Sequence, residues 1–303
     1  MNQQDRFEFV VQGVPFPAPR LAAGLYLVAT PIGNLGDITL RGLQTLAGAS
    51  VIACEDTRTS GILLQRYGID RPKVSYNEHN ADRRGPDLLR QIEDGAAVVL
   101  ISDAGTPLIS DPGFRLVKQA AELDLPVVPI PGASAPLAAL VGSGLGDGEF
   151  HFCGFLPPKS QARKRRIADL AQQSSTLIFF ESPKRLRATL GDLAGELGED
   201  RQAAVCRELT KMYETFHRGS LGQLQIEFDA MERIRGEIVI VISGASERVE
   251  NQPEQITQHL LKALETMKTK QAASHVATQT GVSKQELYKQ ALILQQQRQV
   301  QHD

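Results

Sequence analysis

Short apolar runs alternate with helically spaced segments through the first half of the chain. The strand-like runs are Leu25-Tyr26-Leu27-Val28-Ala29, Val51–Cys54, a short stretch around Val74-Ser75-Tyr76, Val98-Val99-Leu100-Ile101 and Val127-Val128-Pro129-Ile130. The run at 98–101 is too continuously apolar for a strand with one wet face and fits one buried on both faces, as parallel strands are. Between the runs, Leu40, Leu43 and Leu46 recur at helical spacing, another helix leads to Tyr67-Gly68, a third covers about 114–123, and an Ala- and Leu-rich helix follows Ser134. Strand, loop and helix repeated about five times predict an α/β domain, a parallel sheet with helices on both faces, over residues 24–141.

The pattern changes near Gly142-Ser143-Gly144-Leu145-Gly146-Asp147-Gly148, which reads as a flexible hinge. Beyond it, apolar stretches at 150–156, 176–180, 203–206 and 237–242, with fewer clean helices, predict a mixed, partly antiparallel sheet in a second α/β domain over 149–245. Residues 250–303 are Gln-rich, with an apolar stripe at Ile256, Leu260, Leu261, Leu264 and Met267, a second helix ending at Gly281 and a capping box at Ser283-Lys284-Gln285-Glu286. This suits a helix-turn-helix-like module. It also suits a dimerising or merely packed helical tail. Residues 1–23, polar and then Pro-rich, read as a flexible N-terminal extension.

Chemistry concentrates where strands end, the position at which open α/β sheets bind ligands. After the first strand comes Thr30-Pro31-Ile32-Gly33-Asn34-Leu35-Gly36-Asp37, without the glycine order of a dinucleotide loop or the Gly-Lys-Ser/Thr of a phosphate loop. The second strand ends in Glu55-Asp56-Thr57-Arg58, either a proton acceptor with its orienting partner or a helix cap with an exposed ion pair. His79 follows the third strand with no partner at metal-ligand spacing. The strand at 98–101 runs into Ser102-Asp103-Ala104-Gly105-Thr106-Pro107, where Gly105 permits close backbone approach and Asp103 can accept from a ribose hydroxyl or an ammonium group; an ordinary turn capped by Asp111 is the plainer reading. Ser134 can cap the next helix and offer donors to a ligand carboxylate. In the second half, Arg207, Glu208, Lys211 and Glu214 gather near another strand end.

Composition narrows the class. In 303 residues, 42% hydrophobic and 22% charged, there is ample core for roughly two domains. The net charge of −2 leaves no whole-chain basic signature, so a nucleic-acid surface must be local. One candidate exists in Lys159, Arg163, Lys164, Arg165 and Arg166, supplemented by Lys184, Arg185 and Arg187; it could hold polynucleotide phosphates or be a solvated helix face. Cys54, Cys153 and Cys206 lie far apart in apolar stretches, as reduced core thiols in a cytoplasmic protein, and neither a metal site nor a disulfide framework is expected. Neither an export signal nor a membrane span is legible.

LVATPIGNLGDIT, ACEDTRTS, LISDAGTPLISDPG, PIPGASA, GFLPPK, FFESPKRL, CRELTK and GEIVIVISG follow one another over about residues 24–245. In order and approximate spacing this resembles the ribosomal small-subunit RNA 2′-O-ribose methyltransferases of the tetrapyrrole methylase superfamily. The resemblance implies two α/β domains with S-adenosylmethionine in the cleft between them, a homodimer, and methylation of a cytidine ribose in the decoding region of 16S ribosomal RNA within the 30S subunit. By motif it places Pro31, Asp103, Ala104, Gly105, Leu108, Ile109, Ser134 and Ala135 against the cofactor from the first domain. Leu156, Leu209, Thr210, Glu237 and Ile238 would reach it from the second. Catalytic roles are expected of Glu55, Asp56, Arg58 and Lys211, since the sulfonium is already a good leaving group and the enzyme has mainly to align a ribose oxygen and assist loss of its proton. Tetrapyrrole-modifying relatives generally carry G-x-G-P-G-D and Gly-Asp-Pro loops where this chain has Thr30 to Asp37 and Ser102 to Gly105, a departure that favours RNA. A small-tetrapyrrole methyltransferase and a non-catalytic ribosome-binding protein are the competing readings.

Overall fold

A computed structural model describes residues 7–109, 113–146, 148–245, 253–280 and 282–300. The expected Asp111 cap and the Gly281 turn lie outside the described residues. By internal contacts the chain divides into two compact units, one of residues 1–170 and 176–243, the other of 171–175 and 244–303.

The larger unit opens with a hairpin, β1 (Glu8–Val11) and β2 (Val14–Pro17). Over residues 8–17 it corrects the reading of a loose extension. Phe9 is 1% exposed, stacks on Phe16 at 5.6 Å between centroids, and packs among Leu43, Leu46, Tyr67 and Ile69. The Val10 N–H donates to the Tyr67 carbonyl. Pro15 and Pro17 fit because β2 is a two-stranded edge with no further ladder to feed.

The parallel sheet follows as expected. β3 (Gly24–Val28), α1 (Leu40–Ala47), β4 (Val51–Cys54), α2 (Thr57–Arg66), β5 (Lys73–Ser75), α3 (Ala81–Glu93), β6 (Ala97–Ile101), α4 (Phe114–Glu122), β7 (Val127–Ile130) and α5 (Ala135–Ser143) alternate strictly. The strand order is β5-β4-β6-β3-β7, all parallel. β6 is buried at every residue, with Val99 and Ile101 facing one core and Val98 and Leu100 the other, which is why its run is apolar without alternation. The glycine-rich stretch after α5 is a packed helix end rather than a free hinge. Gly144 closes α5 in the left-handed region, Arg218 donates to the Gly142 and Ser143 carbonyls, and the Phe216 ring lies where a Cβ on Gly142 would stand.

The second sheet is mixed, in the order β11-β10-β12-β9-β8. Its elements are β8 (Phe150–Phe155), α6 (Ser160–Leu170), β9 (Thr176–Glu181), α7 (Leu186–Leu197), β10 (Gln202–Arg207), β11 (Thr215–Ser220), α8 (Leu221–Ala230) and β12 (Ile238–Ile242). Only β8 and β9 pair in parallel. Three helices stand here against five in the first domain, fewer as expected; α7 carries Gly191 and Gly195, which blur its periodicity, yet it buries Leu186, Thr189, Leu190, Leu193 and Ala194. α8 begins with a capping box between Ser220 and Gln223.

In the smaller unit, α9 (Pro253–Thr266), α10 (Thr269–Thr280) and α11 (Lys284–Val300) surround Ile256, Leu260, Ala263, Ala272, Ala273, Val276, Leu287 and Ala291. Met267, counted in the apolar stripe, is 37% exposed just past the end of α9.

Because Phe9 closes the first core, Phe9→Ala should lower unfolding free energy by about 3 kcal/mol in urea denaturation. A loose extension would leave the midpoint unchanged.

Candidate functional site

Three loops leave the carboxyl ends of neighbouring strands β6, β3 and β7 and are tied to one another. Thr30 and Gly105 exchange both backbone hydrogen bonds, at 2.9 and 3.0 Å, and the buried Thr30 hydroxyl donates to the Ser102 carbonyl at 3.1 Å. The Thr106 hydroxyl donates to the Ala133 carbonyl at 3.1 Å, joining the third loop. Gly105 has φ +82°, and a Cβ there would meet Ile32 at 3.2 Å, so the pairing needs glycine on both counts. Ser134 stands at the N-cap of α5 but its side chain makes no capping bond, correcting the capping role expected of it.

Between these loops and the second sheet is a cavity of about 390 Å³. Of the residues expected at the cofactor, Ala104, Gly105, Ile109, Ser134, Ala135, Leu209, Glu237 and Ile238 line it. Sequence reasoning missed Ile32, Thr106, Phe155, Phe180, Glu181, Ser182 and Pro183. The signal for Glu181 was an acid ending the apolar strand TLIFFE. Its buried carboxylate accepts from the Thr189 hydroxyl at 2.6 Å and the Ser182 N–H at 2.7 Å, and Arg185 Nε lies 3.4 Å away.

A second cavity, about 300 Å³, adjoins the first and takes Pro31 and Asp103 together with Thr59, Ser60 and Lys211. Of the remaining residues expected at the cofactor, Leu108, Leu156 and Thr210 line neither. Leu108, at φ +74°, turns its side chain toward Gly113; Leu156 is 3% exposed in the second core; the Thr210 hydroxyl accepts from the Asn34 N–H.

Lys211 is the electrostatic centre of the second cavity. Its Nζ lies 2.9 Å from Glu208 Oε1 and 3.2 Å from Glu237 Oε2. Partial burial pulls the ammonium pKa down, but hydrogen bonds and charge from the two carboxylates outweigh it, and the pKa is raised. Glu208 is lowered, first by the Lys211 hydrogen bond and then by that from the Glu237 N–H. Lys211 is therefore held as a cation and is no proton acceptor.

The Glu55, Asp56, Arg58 cluster lines neither cavity. Asp56 caps α2 by accepting from the Arg58 N–H at 2.8 Å and pairs with the Arg58 guanidinium at 2.8 Å. The Arg58 side chain and backbone hydrogen bonds hold the carboxyl at about 2. Geometry thus follows the cap reading. The Asp56 N–H does reach the site, donating to Asp103 Oδ1 at 3.2 Å. His79 is exposed in the turn before α3.

The expected basic patch needs correction. Arg163 is 5% exposed and pairs with Asp192 at 2.6 Å, because its spacing with Ile167 and Leu170 puts it on the core-facing stripe of α6. Arg185 donates to the Leu156 and Pro157 carbonyls, and Arg187 to those of Phe228 and Met231. Lys159, Lys164, Arg165 and Arg166 remain exposed. Cys54 and Cys206 are buried and Cys153 half-buried; burial raises all three thiols, Cys153 to about 11 and Cys206 to about 12. Among the described residues no helix is long and apolar enough to cross a membrane, and no cluster of His, Cys, Asp and Glu could hold a metal ion.

Residues 24–225 match the family of Tetrapyrrole (Corrin/Porphyrin) Methylases, and residues 250–295 match the RsmI C-terminal HTH domain. Ribosomal RNA small subunit methyltransferase I of Mesorhizobium japonicum is 51% identical over 92% of this chain and 94% of its own length. The chain belongs to that methyltransferase I family, within the tetrapyrrole methylases. Its Haemophilus influenzae member is 44% identical over 87% of this chain and 94% of its own length. A cobalt precorrin-4 methyltransferase shares the fold, with TM-score 0.56 and 16% identity over 72% of this chain and 94% of that one. So does uroporphyrin-III C-methyltransferase from Thermus thermophilus in complex with S-adenosyl homocysteine, with TM-score 0.51 and 20% identity over 72% and 96%.

Arg163→Met should leave the half-buried Asp192 with only the longer 3.7 Å pair to the exposed Lys164 and cost about 3 kcal/mol of stability, measured by chemical denaturation. An unchanged midpoint would mean that the pair carries no net stabilisation.

Proposed function

We propose that this protein transfers methyl from S-adenosylmethionine to the ribose 2′-oxygen of a decoding-region cytidine, nucleotide 1402, of 16S ribosomal RNA in the assembled 30S subunit. The supporting observation is a largely apolar cavity, floored by the stitched strand-end loops, that adjoins a polar one across a shared wall. Membership of a family whose relatives are named for the small-subunit RNA supports the substrate class.

The residues present fit the cofactor. A cavity of about 390 Å³ is of small-molecule size, and its apolar walls at Ile32, Phe155, Phe180 and Ile238 suit an adenine. When bound, S-adenosylmethionine supplies an activated methyl group. The chain's own work is to orient and to exclude water. The Gly105 backbone and Ser134 hold one wall, Asp103 presents a carboxylate from the second cavity, and Lys211 offers a fixed cation to a substrate phosphate or hydroxyl. A homodimer in the cytoplasm accompanies this reading, as the family resemblance implies.

Gly105→Val forces a branched side chain into φ +82° against Ile32; calorimetric titration should show S-adenosylmethionine affinity falling at least about tenfold, or roughly 1.4 kcal/mol. Transfer of labelled methyl to purified small subunits, with the product mapped by mass spectrometry, tests the function. Label on a ribose of the decoding region is expected. Efficient transfer to a porphyrinoid instead, or none at all, would overturn the reading.

RNA docking belongs to the exposed cations on and just before α6. Charge reversal at Lys159, Lys164, Arg165 and Arg166 should weaken subunit binding and flatten its salt dependence, as fewer counterions are released. Cofactor affinity should stay constant. A wild-type salt slope would make this a solvated helix face.

A further inference from the structure

The two cavities have three lining residues in common, Ile32, Ala104 and Glu237, and among these only Glu237 carries an ionisable side chain. Methyl donor and methyl acceptor held in adjoining cavities must meet at the wall between them. We propose that Glu237 is a catalytic residue, the group that takes the proton from the hydroxyl being methylated; this rests on the methyltransferase reading above.

The backbone of Glu237 is already committed. Its N–H donates to Glu208 Oε1 at 2.9 Å, and its carbonyl accepts from the Glu208 N–H at 2.9 Å. What it offers a ligand is therefore its side chain. One oxygen, Oε2, is held by Lys211 at 3.2 Å, and Oε1 has no partner among the described residues. That is the arrangement of an oriented acceptor, with one oxygen anchored and the other open. The side chain is 73% exposed, so a proton received there can pass to solvent.

The other acids near the site are placed less well. Glu181 lines only the first cavity, and its two oxygens already accept from Thr189 and Ser182. Asp103 lines only the second, with one oxygen taken by the Asp56 N–H. Asp56 faces Arg58 and lines neither. Lys211, bridging two carboxylates, stays protonated and serves to hold Glu237 in position.

The step balances without a further reactant. A lone pair of the ribose 2′-oxygen forms the bond to the methyl carbon as the carbon–sulfur bond breaks and its electron pair goes to sulfur. The hydroxyl proton, made acidic by that bond formation, passes to Glu237 Oε1.

The test compares wild type, Glu237→Gln, Glu237→Asp and Asp103→Asn by single-turnover methyl transfer to purified small subunits and by calorimetric cofactor binding. Glu237→Gln keeps size and leaves the Lys211–Glu208 pair in place. With cofactor saturating, it should slow transfer by about a hundredfold, a far larger factor than any fall in cofactor affinity; Glu237→Asp should recover part of the rate, and Asp103→Asn should be slowed less than Glu237→Gln. A wild-type rate in Glu237→Gln, a rate loss matched by an equal loss of cofactor affinity, or a larger defect in Asp103→Asn would each overturn the proposal. Wild-type transfer to a base rather than a ribose would overturn the parent reading, and this one with it; ribose methylation undiminished in Glu237→Gln overturns this one alone.

Discussion

The reciprocal backbone pairing of Thr30 with Gly105 is the constraint on which the site depends. Parallel strands end without a turn to join them, so the loops leaving β3 and β6 have no built-in reason to stay together. One antiparallel bridge beyond the sheet supplies it. The Thr30 hydroxyl on the Ser102 carbonyl fixes the approach from below, and Thr106 on the Ala133 carbonyl extends the tie to the loop after β7. Gly105 follows from that geometry. The residue must turn through positive φ while Ile32 stands over it, and a side chain would break the bridge before it touched any ligand.

A second constraint radiates from Lys211. Its aliphatic stem lies where a Cβ on Gly33 would be, 2.5 Å from it, and its ammonium draws together Glu208 and Glu237 from the two chain segments beside β10 and β12. Glu208 adopts φ +54° and crowds Gly236, where a Cβ would fall 2.4 Å from the carboxyl carbon. Two glycines and one non-glycine residue at positive φ are thus explained by a single ammonium group and its partners. Strained backbone of this kind persists where the surroundings over-determine it. Here the surroundings are two charge-assisted hydrogen bonds.

The architecture was legible where the chain is periodic. Strands buried on both faces give unbroken apolar runs, so β3, β4 and β6 and the strand-end loops could be read directly, and the edge strand β7 could be read from its Val-Val-Pro-Ile run. β11, Thr-Phe-His-Arg-Gly-Ser, could not: it is an edge strand with no fully buried residue, and its sequence carries no apolar run. The N-terminal hairpin was hidden by its prolines, which an unladdered edge tolerates. Arg163 was misread although the information was present. Arg163, Ile167 and Leu170 share one helical face, so the spacing itself places Arg163 toward the core. Cavity residues such as Phe155 and Glu181 come from distant strand ends, and their convergence is a property of the two sheets' placement, which no local pattern encodes.

Charge is segregated by the same architecture. Arginines that the sequence groups with the basic patch divide into a structural set and an exposed set. Arg163, Arg185 and the exposed Arg187 satisfy Asp192 or loop and helix-end carbonyls, while Lys159, Lys164, Arg165 and Arg166 are exposed, with Lys164 also 3.7 Å from Asp192. The acids divide likewise. Glu181 is enclosed by donors at the wall of the first cavity, whereas Glu237 stands at the seam with one oxygen anchored and the other open. A near-neutral chain can therefore present cations on an outer helix and a carboxylate to an inner cavity, because the buried charges of Arg163 and Glu181 are answered within the fold.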